Sequence, residues 1–350
     1  MPVHQMRLPR EVLIGHGVLD RVSNVCVGLG LTSPALVLTG PQTYHIAAKA
    51  VIGHLEKAGF ETDLLFVERS EGRYVNKARG VIREFGPKVV LGVGGGKVID
   101  VAKLAASLER VPFVSIPTAA SHDGISSSRA SIKDSESPAS IEADAPVSII
   151  ADTEVIAQAP HRLTASGCGD IIAKYTAVKD WRLAHNLRGE YYGEYAASLA
   201  LMSARLVMKN AHLVRKKVGE GYRVLLEALI SCGVSMSIAG SSRPCSGSEH
   251  LFSHALDMIA PEPALHGEQC GVGAILMAYL QGTRWRMIRE KLGVLGAPTT
   301  AKELDIAPKY IIKALTQAHR IRPDRYTILG DEGLTRGAAE RLARSSGVID

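Results

Sequence analysis

Three of the chain's twelve histidines lie in one stretch, GSEHLFSHALDMIAPEPALHGEQCGVG (247–273). His250 and His254 are four residues apart, the separation that puts two side chains on one face of a helix. His266 opens a new segment beyond Pro261 and Pro263, so it can approach from a second direction. Neutral imidazoles and a carboxylate bind borderline ions such as zinc, and a catalytic site keeps one coordination position open. Asp170, in TASGCGDIIAKYTA, is the best-placed carboxylate, following small residues at an expected helix start in an apolar setting. Other readings stay open on these residues alone. The histidine pair can be an ordinary surface or core pair, and Asp170 can serve only its helix dipole. Cys168, Cys245 and Cys270 are rival ligands that lack the paired spacing usual in zinc–cysteine sites. Lys174, one turn past Asp170, would repel a cation and suits an anionic substrate group, or plain solvent.

A second chemistry is written in LGVGGGKVIDVAKLAA (91–106), which reads as strand, glycines and helix. Glycine lets phosphate oxygens approach the main chain. The helix that follows then offers free N–H groups and the positive end of its dipole. The stretch is not a P-loop: the glycines are one residue too close and Val98 replaces the required Ser or Thr. Nor is it G-x-G-x-x-G, since Val98 takes the place of the third glycine. A tight turn with no ligand is the alternative, and Asp100 serves either the helix dipole or a cofactor. Just beyond, SIPTAASHDGISSS (115–128) clusters Thr118, Ser121, His122, Asp123 and Ser127 after an expected strand. Ligands of open α/β sheets gather at that edge. A solvated polar loop would have the same composition.

The elements that must hold these residues alternate over the first 150 positions. Strands are expected at 35–39, 62–67, 88–93, 112–116 and 146–151, with helices over 43–57, ending near Phe85, and over 97–108. Such alternation indicates βαβ units and a parallel sheet. SSSRASIKDSESPAS reads as a surface loop or hairpin. From Thr164 onward the period is helical, including 192–214 and 224–240. A boundary falls near 152–163, giving domains of 1–155 and 156–350.

Composition bounds the class. At 350 residues, 46% hydrophobic and 22% charged, the chain can build two cores. The net charge of +6 is dispersed rather than gathered into basic arms, so no nucleic acid is expected. Five cysteines without C-x-x-C spacing argue against a disulfide framework and for a reducing compartment. No secretory h-region and no apolar run of membrane-span length is visible, so a cytoplasmic protein without membrane insertion is expected. Apolar helices in the second domain are available for contacts between identical subunits.

Taken in order, GVGGGKVID, PTAASHDGISS, ADTEVIAQAPHRLTASGCGD and GSEHLFSHALD with HGEQCGVG resemble a polyol dehydrogenase superfamily. It holds glycerol dehydrogenases, iron-dependent alcohol dehydrogenases and dehydroquinate synthases, and the likeness spans nearly the whole chain. SHDGISS and GSEHLFSHAL most resemble its sn-glycerol-1-phosphate dehydrogenase branch, which makes the glycerol phosphate backbone of archaeal membrane phospholipids. The resemblance implies a dehydroquinate synthase-like fold: an α/β Rossmann-like N-terminal domain, an all-α C-terminal domain and a site in the cleft between them. It further implies that Asp170, His250 and His266 hold a catalytic Zn²⁺. His254 and Asp123 would face a small-molecule substrate, in company with Asp170 and Lys174. NAD(H) or NADP(H) would lie on Gly94, Gly95, Gly96, Lys97, Val98, Ile99 and Asp100, with Thr118, Ala119, Ala120, Ser121 and Ser127. Two departures stand out: Lys174 replaces a histidine ligand of the iron-dependent branch, and Lys97 replaces a serine common in the superfamily.

The implied reaction is reversible hydride transfer between a nicotinamide and C2 of dihydroxyacetone phosphate. His254 would relay a proton or only orient the substrate, and Lys174, with Arg243 behind it, would hold the phosphate. Gly40 stands where an acidic residue would repel the extra phosphate of NADP, which hints at use of both cofactors. A homo-oligomer is expected. The alternatives are a glycerol dehydrogenase, a dehydroquinate-synthase-like lyase with no net cofactor change, and a nucleotide-binding protein without chemistry.

Overall fold

A computed structural model describes residues 6–133, 138–216 and 219–350, and the chain divides after Pro160 into two compact units. The first contains strands β1 (Glu11–Gly15), β2 (Ala35–Thr39), β3 (Thr62–Phe66), β4 (Val89–Gly94), β5 (Phe113–Pro117), β6 (Arg129–Lys133), β7 (Pro138–Glu142) and β8 (Ser148–Asp152). Six of them form one parallel sheet in the order β1-β8-β5-β4-β2-β3. Its central strands are buried along their whole length, as a sheet with helices on both faces requires. Alternate residues then serve two cores. Val37, Leu91, Val93 and Ile150 pack with the Val22–Gly28 and Lys49–Lys57 helices. Leu36, Leu38, Val90 and Phe113 pack with the Gly72–Phe85 and Gly96–Leu108 helices.

Strand order decides where a ligand can lie. The chain leaves β2 for the edge strand β3, returns across β2 to β4, and then continues outward through β5 and β8. The reversal puts the carboxyl ends of β2 and β4 side by side, where open sheets form a crevice. Thr39 Oγ1 donates to the Val93 carbonyl there at 2.8 Å.

The expected strands lie within a residue or two of their observed positions. SSSRASIKDSESPAS is an antiparallel hairpin of β6 and β7, with residues 134–137 outside the described set. β1 was not anticipated. EVLIG is short, sits at the sheet edge and becomes a strand by pairing with the distant β8. The unit boundary also falls a few residues after the expected 155/156. The Thr153–Gln158 helix is capped by Asp152, whose Oδ1 accepts the Glu154 N–H at 2.9 Å. It packs on β1 and β8, with Val155 against the sheet core, and so belongs to the first unit.

The second unit is helical. His161–Arg188, Glu194–Lys209, Gly219–Ala239, Ser248–Ile259 and His266–Leu280 supply its principal walls. Gly219–Ala239 is long and apolar enough to cross a bilayer, which amends the expectation that no run reaches that length. Two-thirds of its most apolar window is buried within the protein, as in a core helix. A second correction concerns Asp170. Its helix begins at His161, directly after Pro160, so TASGCGD lies in the interior and not at a helix start. Far from the first turn, the carboxylate cannot serve chiefly to offset the dipole.

The His161–Arg188 and His266–Leu280 helices cross backbone to backbone. A methyl on Gly169 would run into the Gly267 carbonyl, and one on Gly267 into the Ser166 carbonyl. These glycines adjoin Asp170 and His266 in sequence. The close crossing is what brings those two side chains together.

Candidate active site

Asp170, His250, His266 and Cys270 each offer one ligand atom, and these atoms all lie within 4.8 Å of one another. His250 lies in the first turn of the Ser248–Ile259 helix, while His266 opens the helix beyond the proline turn. His250 Nε2 stands 3.4 Å from Asp170 Oδ1. A tetrahedral zinc ion bound at about 2.1 Å by nitrogen and oxygen would hold two such atoms about 3.4 Å apart. The donor set and this edge therefore fit a zinc-like ion.

Neighbouring groups fix the imidazoles. Glu249 is fully buried, and its Oε1 lies 2.8 Å from His250 Nδ1. A carboxylate there keeps the proton on Nδ1 and leaves the Nε2 lone pair for a cation. Glu249 is itself held by the Gly247 N–H at 2.7 Å and the Thr176 hydroxyl at 2.9 Å. His266 Nδ1 pairs with Ser253 Oγ at 3.3 Å. Burial alone would raise the Asp170 carboxyl, but Lys174, then His250 and His266, hold it well below the ordinary carboxylate range. Burial and Lys174 pull His250 down, yet Cys270 and Asp170 outweigh them and keep the imidazole well above its usual value.

His254 lies outside the ligand cluster. Its ring stacks on His266 with centroids 5.7 Å apart. Its buried Nδ1 has no hydrogen-bond partner among the described residues, the Asp257 carboxylate being 3.9 Å away.

On the first unit, the glycine turn joins β4 to the Gly96–Leu108 helix. Two of its glycines have internal reasons to be glycine. A methyl on Gly94 would meet Val98, and one on Gly96 would meet the His122 ring. Gly95 faces open space instead, so the main chain can be approached from outside. Val98 and Ile99 give their side chains to the core and their N–H groups to the Gly95 carbonyl. Lys97 is exposed. Thr118 N–H pairs with the Gly94 carbonyl at 3.0 Å, which ties the 118–127 loop to the turn. In that loop Ala119 and Ala120 are buried, Ser121 is half-buried, and Asp123 opens a short 3₁₀ turn whose carbonyl accepts the Ser126 and Ser127 N–H groups. Ser127 is buried, with Oγ 3.4 Å from the Arg129 carbonyl. Asp100 is buried beside Lys103, whose ammonium donates to the Gly124 and Arg129 carbonyls at 2.6 Å.

A family model for iron-containing alcohol dehydrogenases matches residues 13–160. The glycerol-1-phosphate dehydrogenase [NAD(P)+] of Methanothermobacter thermautotrophicus is 55% identical over 349 residues, covering 100% of both chains. The enzyme of the same name from Thermococcus sibiricus is 56% identical, covering 100% of this chain and 99% of its own. The chain belongs to the glycerol-1-phosphate dehydrogenase family. Among solved structures, a probable glycerol dehydrogenase from Sinorhizobium meliloti matches with a TM-score of 0.81 at 20% identity, over 99% of this chain and 100% of its own. That likeness bears out the expected fold: parallel sheet with helices first, helical region second.

As an oxidoreductase of the glycerol-1-phosphate dehydrogenase family, the chain uses some expected residues differently. Lys174 is fully buried, and its ammonium sits 2.6 Å from Asp170 Oδ1, so it is not solvated. One helical turn aligns the two side chains, and a buried ammonium must find an anion. Arg243 is likewise bound to the Glu190 carboxylate and, at 2.9 Å, to the Tyr326 carbonyl. Glu249 and Lys103 were missed. Adjacency to His250 was the only sequence signal for Glu249. For Lys103 the signal was its place on the apolar face of the helix after the glycine turn.

Proposed function

We propose that this enzyme reversibly reduces dihydroxyacetone phosphate to sn-glycerol 1-phosphate with NADH or NADPH, making the backbone of archaeal-type membrane phospholipids. The observation that carries this reading is the convergence of Asp170, His250 and His266 from three segments, in a chain of this family. Those three residues would hold zinc, and the glycine turn with Asp100, Thr118, Ala119, Ala120, Ser121 and Ser127 would hold the dinucleotide. A bound zinc ion would polarise the substrate carbonyl and a bound nicotinamide would supply hydride to C2. Glu249 aims the His250 lone pair, and Lys174 keeps Asp170 ionised. His254 holds the proton that the C2 oxygen takes, at a ring stacked beside His266. Asp123 is assigned to hydrogen-bonding the substrate.

The strand end at Gly40 has no carboxylate, and the space before it is taken by Thr43 Oγ1, 3.2 Å from where a Cβ would stand. That supports use of both cofactors. All five cysteines are buried and none is in a disulfide, which supports a reducing, cytoplasmic setting. Exposed Tyr195, Met202 and Leu206 on the Glu194–Lys209 helix support assembly of identical subunits.

The test is NADH oxidation dependent on dihydroxyacetone phosphate, with about one zinc per chain by elemental analysis. His250→Ala and Asp170→Asn should each lose zinc and turnover. Turnover with glycerol but none with the phosphate ester would transfer the protein to the glycerol dehydrogenase branch.

A further inference from the structure

We propose that Lys103 is a positioning residue for the dinucleotide: its ammonium clamps the 118–127 loop to the helix that follows the glycine turn. The inference rests on the cofactor site read above and adds a residue which that reading leaves out. Gly96, Asp100 and Lys103 have the spacing of one face of the Gly96–Leu108 helix, and each meets the loop or its exit. The His122 ring takes the space that a methyl on Gly96 would need, and Asp100 Oδ1 stands 3.4 Å from where a Gly124 Cβ would be. Lys103 Nζ donates at 2.6 Å to the Gly124 carbonyl. It donates again, at 2.6 Å, to the carbonyl of Arg129, where β6 begins. Its remaining proton faces Asp100 Oδ1 at 3.4 Å. Gly124 is fixed from its other side too, since its N–H donates to His122 Nδ1 at 2.9 Å.

An ammonium with no exposed surface is an expensive way to fill this space. Burial pulls the Lys103 amine below its ordinary range, and the Asp100 and Asp123 carboxylates act against that pull. For packing alone an apolar side chain of similar length would serve as well, because a buried ion pair gains little over its desolvation. What the ammonium adds is a single point at which two main-chain carbonyls and a carboxylate meet. The residues assigned to the cofactor lie between the loop's two anchors. The Thr118 N–H fixes the entry to the Gly94 carbonyl at 3.0 Å, and Lys103 fixes the exit. Ser127 Oγ lies 3.4 Å from the same Arg129 carbonyl that Lys103 holds. All of these groups belong to the first unit.

Lys103→Met keeps the length of the side chain and removes every donor. The full-length, zinc-loaded enzyme is titrated with NADH by nicotinamide fluorescence and assayed with dihydroxyacetone phosphate. The variant should bind NADH about tenfold more weakly and raise the Michaelis constant for NADH to match, with kcat at saturating NADH within about threefold of wild type. A merely structural lysine gives the opposite pattern, because an inactive fraction lowers kcat and leaves the Michaelis constant alone. Folded Lys103→Met with wild-type NADH affinity overturns the assignment, as does a loss confined to kcat. Should that variant fail to fold, Asp100→Asn/Lys103→Met is compared with Asp100→Asn, since the double variant leaves no lone buried carboxylate. About tenfold weaker NADH binding in the double variant is expected, and equal binding overturns the clamp. Wild-type enzyme that binds NADH but leaves dihydroxyacetone phosphate unreduced overturns the proposed reaction, and the NADH titrations then decide the clamp alone. Wild-type protein that binds no NADH overturns both.

Discussion

Glu249 shows how much of a candidate metal centre lies behind the side chains that would bind the ion. Its contact with His250 Nδ1 sets both the tautomer and the direction of the ring. Glu249→Gln should keep the fold but weaken zinc binding about 10–100-fold, read by chelator competition. Acid should weaken it too. His250 is held protonated above the ordinary imidazole range in the metal-free protein, and that proton must leave before zinc binds. Affinity should therefore rise with pH up to the raised value and fall about tenfold per unit below it. Metal-free stability runs the other way. A group whose folded value is raised contributes stability that is full below its unfolded value of 6.5 and is lost as pH rises through the folded one. Thermal melts of the metal-free protein across pH 6 to 9, compared with His250→Gln, isolate that contribution: wild type should lose stability more steeply as pH rises. At this scale the sequence singled out Asp170, His250 and His266, which the fold brings together, but not the buried contacts of Lys174 and Glu249. Both contacts depend on which neighbour a buried charge meets.

Elements place these residues through backbone contact. Gly267→Ala puts a methyl against the Ser166 carbonyl, and backbone cannot swing aside as a long side chain can. We expect a loss of about 1–3 kcal/mol or more in stability, with weaker zinc binding as His266 is displaced. Gly95→Ala is the counterpart. Its methyl meets nothing within 4 Å and its φ of −76° suits any residue, so melting should change little. If the turn holds the dinucleotide as proposed, the Michaelis constant for NADH should nonetheless rise about tenfold, because a phosphate there would need that approach. A normal constant in Gly95→Ala would remove the turn from the cofactor site. Strands ALVLT and KVVLGV were legible because a centrally buried parallel strand must be apolar on both faces. EVLIG was not, since an edge strand needs only a partner, and its partner lies more than a hundred residues away.

For the whole molecule, the expected outcome is net NADH consumption with dihydroxyacetone phosphate and a single product enantiomer, sn-glycerol 1-phosphate, on chiral analysis. NADPH should support turnover within about tenfold of NADH, since no acidic residue stands at Gly40 to repel its phosphate. Equal formation of both enantiomers would contradict an ordered hydride transfer. What the sequence determined by itself was local and periodic: a parallel α/β half, a helical half, the glycine turn and the histidine pair. Spacing and hydrophobic alternation encode these directly. Tertiary structure alone decided that β2 and β4 stand side by side, that Gly169 and Gly267 let two helices touch, and that Asp170 meets His250 and His266. Each depends on which distant segments share a surface, and that is settled by packing the whole chain at once.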